Sequence, residues 1–283
     1  MNKPIQADVV RAQVRELPSL PKAIHEVTLA LNDDNLCLET FSRKLAIDPA
    51  LVTRILRAAN SPFYGMSGTI GSVQDAVRLV GLRTVGSILT TAAIVHTIAP
   101  PSCNGFRFRE FWDHSLATAI CSQELARACG TSPGVAFTAG LLHDIGQLAL
   151  ATYYPSEFGA AIAFSKEHDC PMYEAERSVL GITHCEVGAW IAEHWHFSAD
   201  VLAAIGKHHG PPAPTGASAD LTDIVHCADG IVYALDLGSA DSALVPPLQA
   251  SAWQRLQLPA DAHLQIFARV ESGFHDLRDA LVG

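Results

Sequence analysis

The stretch GLLHDIGQLAL, residues 140–150, sets a histidine and an aspartate side by side in an otherwise apolar run. Leu141, Leu142, Ile145, Leu148, Ala149 and Leu150 require a core. Burying His143 and Asp144 with them is unfavourable unless something pairs with both. The apolar spacing here is helical, and helical periodicity dominates the rest of the chain, where alternating strand-like runs are nearly absent. The expected fold class is all-α.

Working outward, Asp48 and Pro49 read as a helix start, with the acid as N-cap and proline in the first turn. Val52, Ile55, Leu56 and Ala59 then form one apolar face, and Asn60, Ser61 and Pro62 end the helix. Ser72 caps the next helix with Asp75 three residues on; Val73, Ala76, Val77 and Val80 make its stripe and Gly81 breaks it. Val85, Ile88, Leu89 and Ala92 repeat the pattern. Residues 99–105 are the first clear linker, so an N-terminal helical bundle is expected over 1–105 and a second helical lobe over 106–283. Within that lobe, Thr183 and Glu186 form a capping box that puts His184 in a first turn. After a Pro/Gly-rich break at 210–216 comes a helix from about Leu221 to Leu237. A loop at 238–247 then precedes an amphipathic helix with Leu264, Phe267, Val270, Phe274 and Leu277 inward.

The possible partners of His143 and Asp144 are, in chain order, Glu110 and His114, then His184, then His208 and His209, then Asp229. Glu110 and His114 are four residues apart and share one helix face. Imidazole and carboxylate are ligand types for Fe, Mn, Zn and Mg. An adjacent His-Asp pair can ligate where the backbone opens slightly, and a carboxylate can bridge two ions. One or two divalent ions, Fe or Mn first and Zn or Mg as alternatives, would compensate the buried pair. Each residue alone has an ordinary explanation: a half-buried structural histidine, a solvated helix charge, or a helix C-terminus at His208 and His209. Their joint order is harder to explain that way. His25, His96, His168, His194, His196, His226, His263 and His275 fit no such scheme and read as structural or surface residues. His194 and His196, flanking Trp195, are alternatively placed to line a pocket.

Composition narrows the class. The chain has 283 residues, 49% hydrophobic and 17% charged, with mean hydropathy +0.20, enough to bury a sizeable core. Its most apolar stretch, 85–99, is broken by Ser87, Thr90, Thr91, His96 and Thr97 and falls short of the ~20 residues of a membrane span. Residues 1–17 carry charges and no signal-type apolar segment. Seven scattered cysteines without a CxxC read as reduced thiols. A net charge of −10 opposes nucleic-acid binding, including through the helix–turn region at 40–60. The expectation is a cytoplasmic protein with no nucleic-acid or membrane partner.

The order His, His-Asp, His, His-His, Asp resembles the HD superfamily of metal-dependent phosphohydrolases, and most of all its HD-GYP cyclic di-guanylate phosphodiesterases. That resemblance assigns metal-binding roles to Glu110, His114, His143, Asp144, His184, His208, His209 and Asp229. LPSLPKAIHEVTLAL (17–31), IDPALVTRILRAANSPFYG (47–65) and SVQDAVRLVGLRTV (72–85) resemble the first half of an HDOD domain. FWDHSLATA (111–119), the 140–150 stretch and THCEVGAWIAEHW (183–195) resemble its second half. The match covers about residues 14–212 and implies an all-helical bacterial signalling output module with an HD-like second lobe, of a kind regarded as lacking catalysis. Two departures from HD-GYP enzymes oppose hydrolysis: Gln147 replaces the lysine of HDxGK, and HHGPPAP (208–214) replaces the GYP loop. Many HDOD proteins have lost their metal ligands, whereas this chain keeps a full set.

The expected function is therefore regulatory. The protein acts by binding a signalling protein partner or a ligand, a nucleotide or small phosphorylated compound, with a retained metal site and input from a separate partner or a ligand. The alternative is a metal-dependent phosphohydrolase acting on a nucleotide or phosphodiester. A diiron redox site is a weaker third.

Overall fold

Residues 4–17, 49–64, 70–81, 85–86, 100–211, 218–238, 245–259 and 261–281 are described in a computed structural model. The described helices, numbered in order, begin with α1 Ala7–Arg15, α2 Pro49–Ala59 and α3 Val73–Val80. There follow α4 Phe108–Ala128, α5 Pro133–Leu142, α6 Ile145–Tyr153, α7 Pro155–His168 and α8 Met172–Val179. The remainder are α9 His184–His194, α10 Ala199–Lys207, α11 Leu221–Ala234, α12 Ala250–Arg255 and α13 Ala262–Leu281. No strand occurs among the described residues, and the fold is all-α.

Helix α4 is the axis. Every residue from Phe111 to Ala126 is buried, because α5, α11 and α13 pack around it. Two of its buried acids are matched rather than solvated: Asp113 accepts from the Arg278 guanidinium, and Glu124 pairs with Arg127 and Arg269. Glycines set how closely neighbours approach. A Cβ on Gly140 would lie 2.7 Å from the Thr118 carbonyl oxygen, so α5 lies directly on the backbone of α4. A Cβ on Gly146 would lie 2.0 Å from the His184 carbonyl oxygen, so α6 and α9 are in backbone contact. These two approaches carry His143 to His114 and Asp144 to His184.

Local signals are good guides. Ser72 caps α3 through the Asp75 amide, Gly81 ends that helix at φ +90°, and the Thr183–Glu186 capping box starts α9. The Asp48 cap, most of the 17–31 motif, the helix expected through Ile88, Leu89 and Ala92, and most of the 210–216 break lie outside the described residues. Three expectations need correction. Leu264 is 80% exposed, and Ile266 is buried in its place with Val270, Phe274 and Leu277. Helix α11 stops at Ala234 rather than Leu237, and the short α12, unforeseen, is tied back by Arg255 to Asp223 on α11. His194 donates to the Leu17 carbonyl rather than lining the cavity beside the His-Asp pair, and His196 is likewise absent from that wall.

Helix α1 lies against α9, with Arg11 paired to Glu193, while α13 reaches both α4 and α2. Pro133–Tyr153 is apolar and long enough to cross a membrane by composition, but 83% of its most apolar window is buried inside the fold. His143 and Asp144 interrupt it.

Candidate metal centre

His143 closes α5 in helical conformation, whereas Asp144 sits at φ −102°, ψ 9°, between α5 and α6. That single non-helical residue opens the backbone enough for both side chains to turn inward. His143 is fully buried and Asp144 nearly so.

Around them the structure gathers His114 from α4, His184 from the first turn of α9, His208 and His209 from the end of α10, and Asp229 from α11. The two oxygens of Asp144 face different groups. Oδ2 is 3.4 Å from His143 Nε2, while Oδ1 is 3.1 Å from His184 Nε2 and 3.5 Å from His208 Nε2. Asp229 Oδ1 lies 3.1 Å from His114 Nε2 and 3.6 Å from His143 Nε2, and Asp229 Oδ2 lies 3.8 Å from His209 Nδ1. His184 Nε2 stands 3.4 Å from His208 Nε2 and 3.1 Å from His209 Nε2. Glu110 joins none of these groups. It borders the adjoining cavity, with Oε1 accepting from Arg107 at 2.7 Å and Oε2 buried without a partner.

Outer hydrogen bonds decide which atoms face inward. His143 Nδ1 donates to the Gly140 carbonyl at 2.7 Å, and His208 Nδ1 to the Ile205 carbonyl at 2.9 Å. His184 Nδ1 donates to Glu176 Oε2 at 2.7 Å, and the same oxygen accepts the His184 backbone N–H. His226 Nε2 accepts from the Gln249 amide, so its Nδ1 carries the proton donated at 2.6 Å to the His208 carbonyl. In each of the three inward rings the outer Nδ1 holds a proton, so Nε2 is the nitrogen turned to the centre. His143 Nε2 and Asp144 Oδ1 have no hydrogen-bond partner at all. Nε2 atoms and carboxylate oxygens thus converge on a buried space, a donor set that suits a divalent cation in place of the imidazole protons.

The electrostatics agree. Burial opposes charge on Asp144, yet His143 and His184 hold its carboxyl well below the usual range. Burial likewise opposes charge on Asp229, but His114 and His143 keep its carboxyl low. Burial lowers His184, but Cys185, Glu176 and Asp144 outweigh it and leave the imidazole well above its ordinary value. His208, also opposed by burial, is carried to about 10 by Cys185 and Asp144. His209 goes the other way, lowered by burial and by His208 and His184. Cations and protons compete for the same Nε2 atoms, and at neutral pH the carboxylates are already ionised. Metal uptake by this cluster would therefore expel imidazolium protons, and its apparent affinity would rise with pH. The expected increase between pH 6 and 8 is about tenfold per pH unit for each proton displaced. Calorimetry in two buffers of different ionisation enthalpy counts those protons; a dissociation constant indifferent to pH would place the metal elsewhere.

A cavity of about 210 Å³ opens beside the cluster, bordered by His114, Asp144 and His209. Arg107, Lys166 and Tyr173 contribute to its wall, and the Tyr173 ring stacks on His209 with centroids 4.6 Å apart. Gln147 also borders it, donating to Asp144 Oδ2 at 2.8 Å.

The HDOD domain pattern matches residues 17–211, well over half the chain. This chain belongs to the HDOD domain family. A crystal structure of an HDOD domain protein from Geobacter sulfurreducens, 25% identical, superposes with a TM-score of 0.79 over 98% of each chain. A Shewanella amazonensis SB2B protein named as a candidate phosphohydrolase is 27% identical, with a TM-score of 0.77 over 96% of this chain and 97% of that one. A Marinobacter aquaeolei VT8 protein named as a candidate signal transduction protein, 22% identical, shares the fold, with a TM-score of 0.74 over 99% of this chain and 61% of that one. An uncharacterized protein of Treponema pallidum (strain Nichols) is 26% identical over 202 residues, 71% of this chain. The present chain spans 39% of that relative's length.

Sequence reasoning about this HDOD chain misses Glu176, Cys185 and His226. Glu176 precedes His184 by eight residues across a helix break, so no periodicity links them. Cys185 has the composition of any buried thiol, and His226 reads as a structural residue. Only the Gln249 and His208 contacts reveal what His226 supports.

Proposed function

We propose that this HDOD protein is a regulatory module that holds one or two divalent ions at the cluster and binds a small phosphorylated ligand in the adjoining cavity. Its output passes to a signalling protein partner. The observation that carries the reading is the convergence of imidazole Nε2 atoms and two ionised carboxylates, with the rings oriented by outer hydrogen bonds. His114, His143 and Asp229 would hold one ion, and His184, His208 and His209 a second, with Asp144 between them. A bound divalent ion would supply Lewis-acid activation of water and neutralisation of phosphate charge.

The residues around that centre favour binding over turnover. Lys166 offers positive charge along the cavity wall, where Arg107 is paired with Glu110, and Tyr173 a stacking face, which together suit a nucleotide or phosphodiester. Gln147 stands where the resemblance to HD-GYP enzymes puts a lysine. It is tied to Asp144, and an amide carries neither the charge nor the acidity to stabilise a leaving oxygen. Loss of one such donor lowers a rate by about 10²–10³.

The expected result is that Mn- or Fe-loaded protein binds nucleotides or cyclic di-guanylate without efficient hydrolysis. Incubation of wild type and Asp144→Ala with cyclic di-guanylate, mononucleotides and a generic phosphodiester tests this. Robust turnover by wild type that Asp144→Ala abolishes would establish the phosphohydrolase instead. Gln147→Lys is the companion variant, expected to raise any residual rate.

A further inference from the structure

Cys185 follows His184 in the first turn of α9. Its Sγ lies 3.4 Å from His184 Nε2 and 4.0 Å from both ring nitrogens of His208. Ligand atoms of His184, Cys185, His208 and His209 all lie within 4.8 Å of one another. Tetrahedral coordination with metal–nitrogen bonds of about 2.0–2.1 Å and a metal–sulfur bond of about 2.3 Å sets nitrogens about 3.3 Å apart and nitrogen and sulfur about 3.6 Å apart. The corresponding distances here are 3.4 and 3.1 Å between imidazoles, 3.4 Å from sulfur to His184 and 4.0 Å from sulfur to His208. Among the other described cysteines, Cys103 and Cys129 direct their thiols at the Pro155 and Leu256 carbonyls. The Cys185 sulfur is directed at imidazole nitrogens instead.

We propose that Cys185 is a thiolate ligand of the ion held by His184, His208 and His209, so that this position takes a borderline metal such as Zn(II) in preference to Mn(II) or Mg(II). The inference rests on the metal-holding reading above but goes beyond it, since the family resemblance gives Cys185 no role. Thiolate favours softer ions, while oxygen-rich sets favour hard ones. The partner position, built from His114, His143 and Asp229, has no sulfur among its ligand atoms. The two positions are therefore unequal in metal preference. Coordination keeps the sulfur as thiolate and releases the protons of the imidazoles that bind, and no oxidation change is involved.

Co(II) loading of the full chain tests the assignment. Wild type is expected to show a thiolate-to-cobalt charge-transfer band in the near ultraviolet together with the visible bands of tetrahedral cobalt. Cys185→Ser should lose the charge-transfer band. Its Zn(II) affinity should fall at least about 100-fold, the upper end for losing a supporting partner, with Mn(II) affinity nearly unchanged. X-ray absorption of the zinc-loaded wild type needs no variant and should show one sulfur at about 2.3 Å. Cobalt bound with visible bands but no sulfur signature overturns the thiolate ligand and leaves the metal-holding reading standing. Failure to bind cobalt or zinc at all overturns both. A charge-transfer band that persists in Cys185→Ser also overturns the assignment, because the sulfur would come from another cysteine.

Discussion

Asp144→Ala is expected to leave a folded protein that no longer retains a divalent ion and melts about 10 °C below the metal-loaded wild type. The size follows from linkage. An ion present at about 1,000 times its dissociation constant stabilises the folded state by about 4 kcal/mol, and each kcal/mol moves the midpoint by about 2–4 °C in a chain of this size class. Asp144 is the residue to remove because its two oxygens face both ligand groups, His143 on one side and His184 with His208 on the other. Alanine takes away the carboxylate shared between both positions and leaves the imidazoles facing one another uncompensated. Metal content by elemental analysis, with melting curves of loaded and chelated samples, checks it. Wild-type metal content in the variant would refute the bridging role.

A second large effect is expected far from any titratable atom. Gly146→Ala should destabilise the protein by about 3 kcal/mol or more and lower its melting temperature by about 6–12 °C. A Cβ there would lie 2.0 Å from the His184 carbonyl oxygen, 2.7 Å from its carbonyl carbon and 2.8 Å from the Gly188 amide nitrogen. All three are backbone atoms, so no side-chain rotation relieves the overlap and α6 must move away from α9. Because Asp144 immediately precedes α6 and His184 begins α9, the same displacement should weaken metal binding. Thermal melts of the chelated form isolate the packing effect, and titration with Mn(II) or Zn(II) measures the second. A variant that melts with the wild type would mean that α6 and α9 are not in backbone contact.

Much of this architecture is legible in the amino-acid order. Apolar spacing along α2, α3 and α13 announces helices, and caps at Ser72 and Thr183 locate the starts of α3 and α9, because both signals are local in the chain. The cost of burying His143 and Asp144 announces that a partner is needed, since that cost belongs to the residue types themselves. Chain order and the family resemblance then nominate eight residues, of which the structure brings all but Glu110 into the converging groups. Glu110 and His114 share a helix face by spacing, yet Arg107, three residues before Glu110, engages its carboxylate at the cavity wall.

The sequence by itself thus determined the helical class, the helix starts, and the requirement that His143 and Asp144 be compensated. Which nitrogens face the centre was decided only by the fold. Gly140 and Ile205 each orient the ring three residues on, but Glu176 holds His184 across a helix break and His226 holds the His208 carbonyl from another helix, where sequence separation has no period. The inward place of Ile266 instead of Leu264 was decided in the same way, by where α13 crosses α4 and α2. The environment of Cys185 likewise exists only once α9 and α10 are packed, because its imidazole neighbour His208 lies 23 residues away. Local propensity acts within a few residues, whereas coordination geometry is set by helices meeting at backbone distance, and here glycines 140 and 146 permit that meeting.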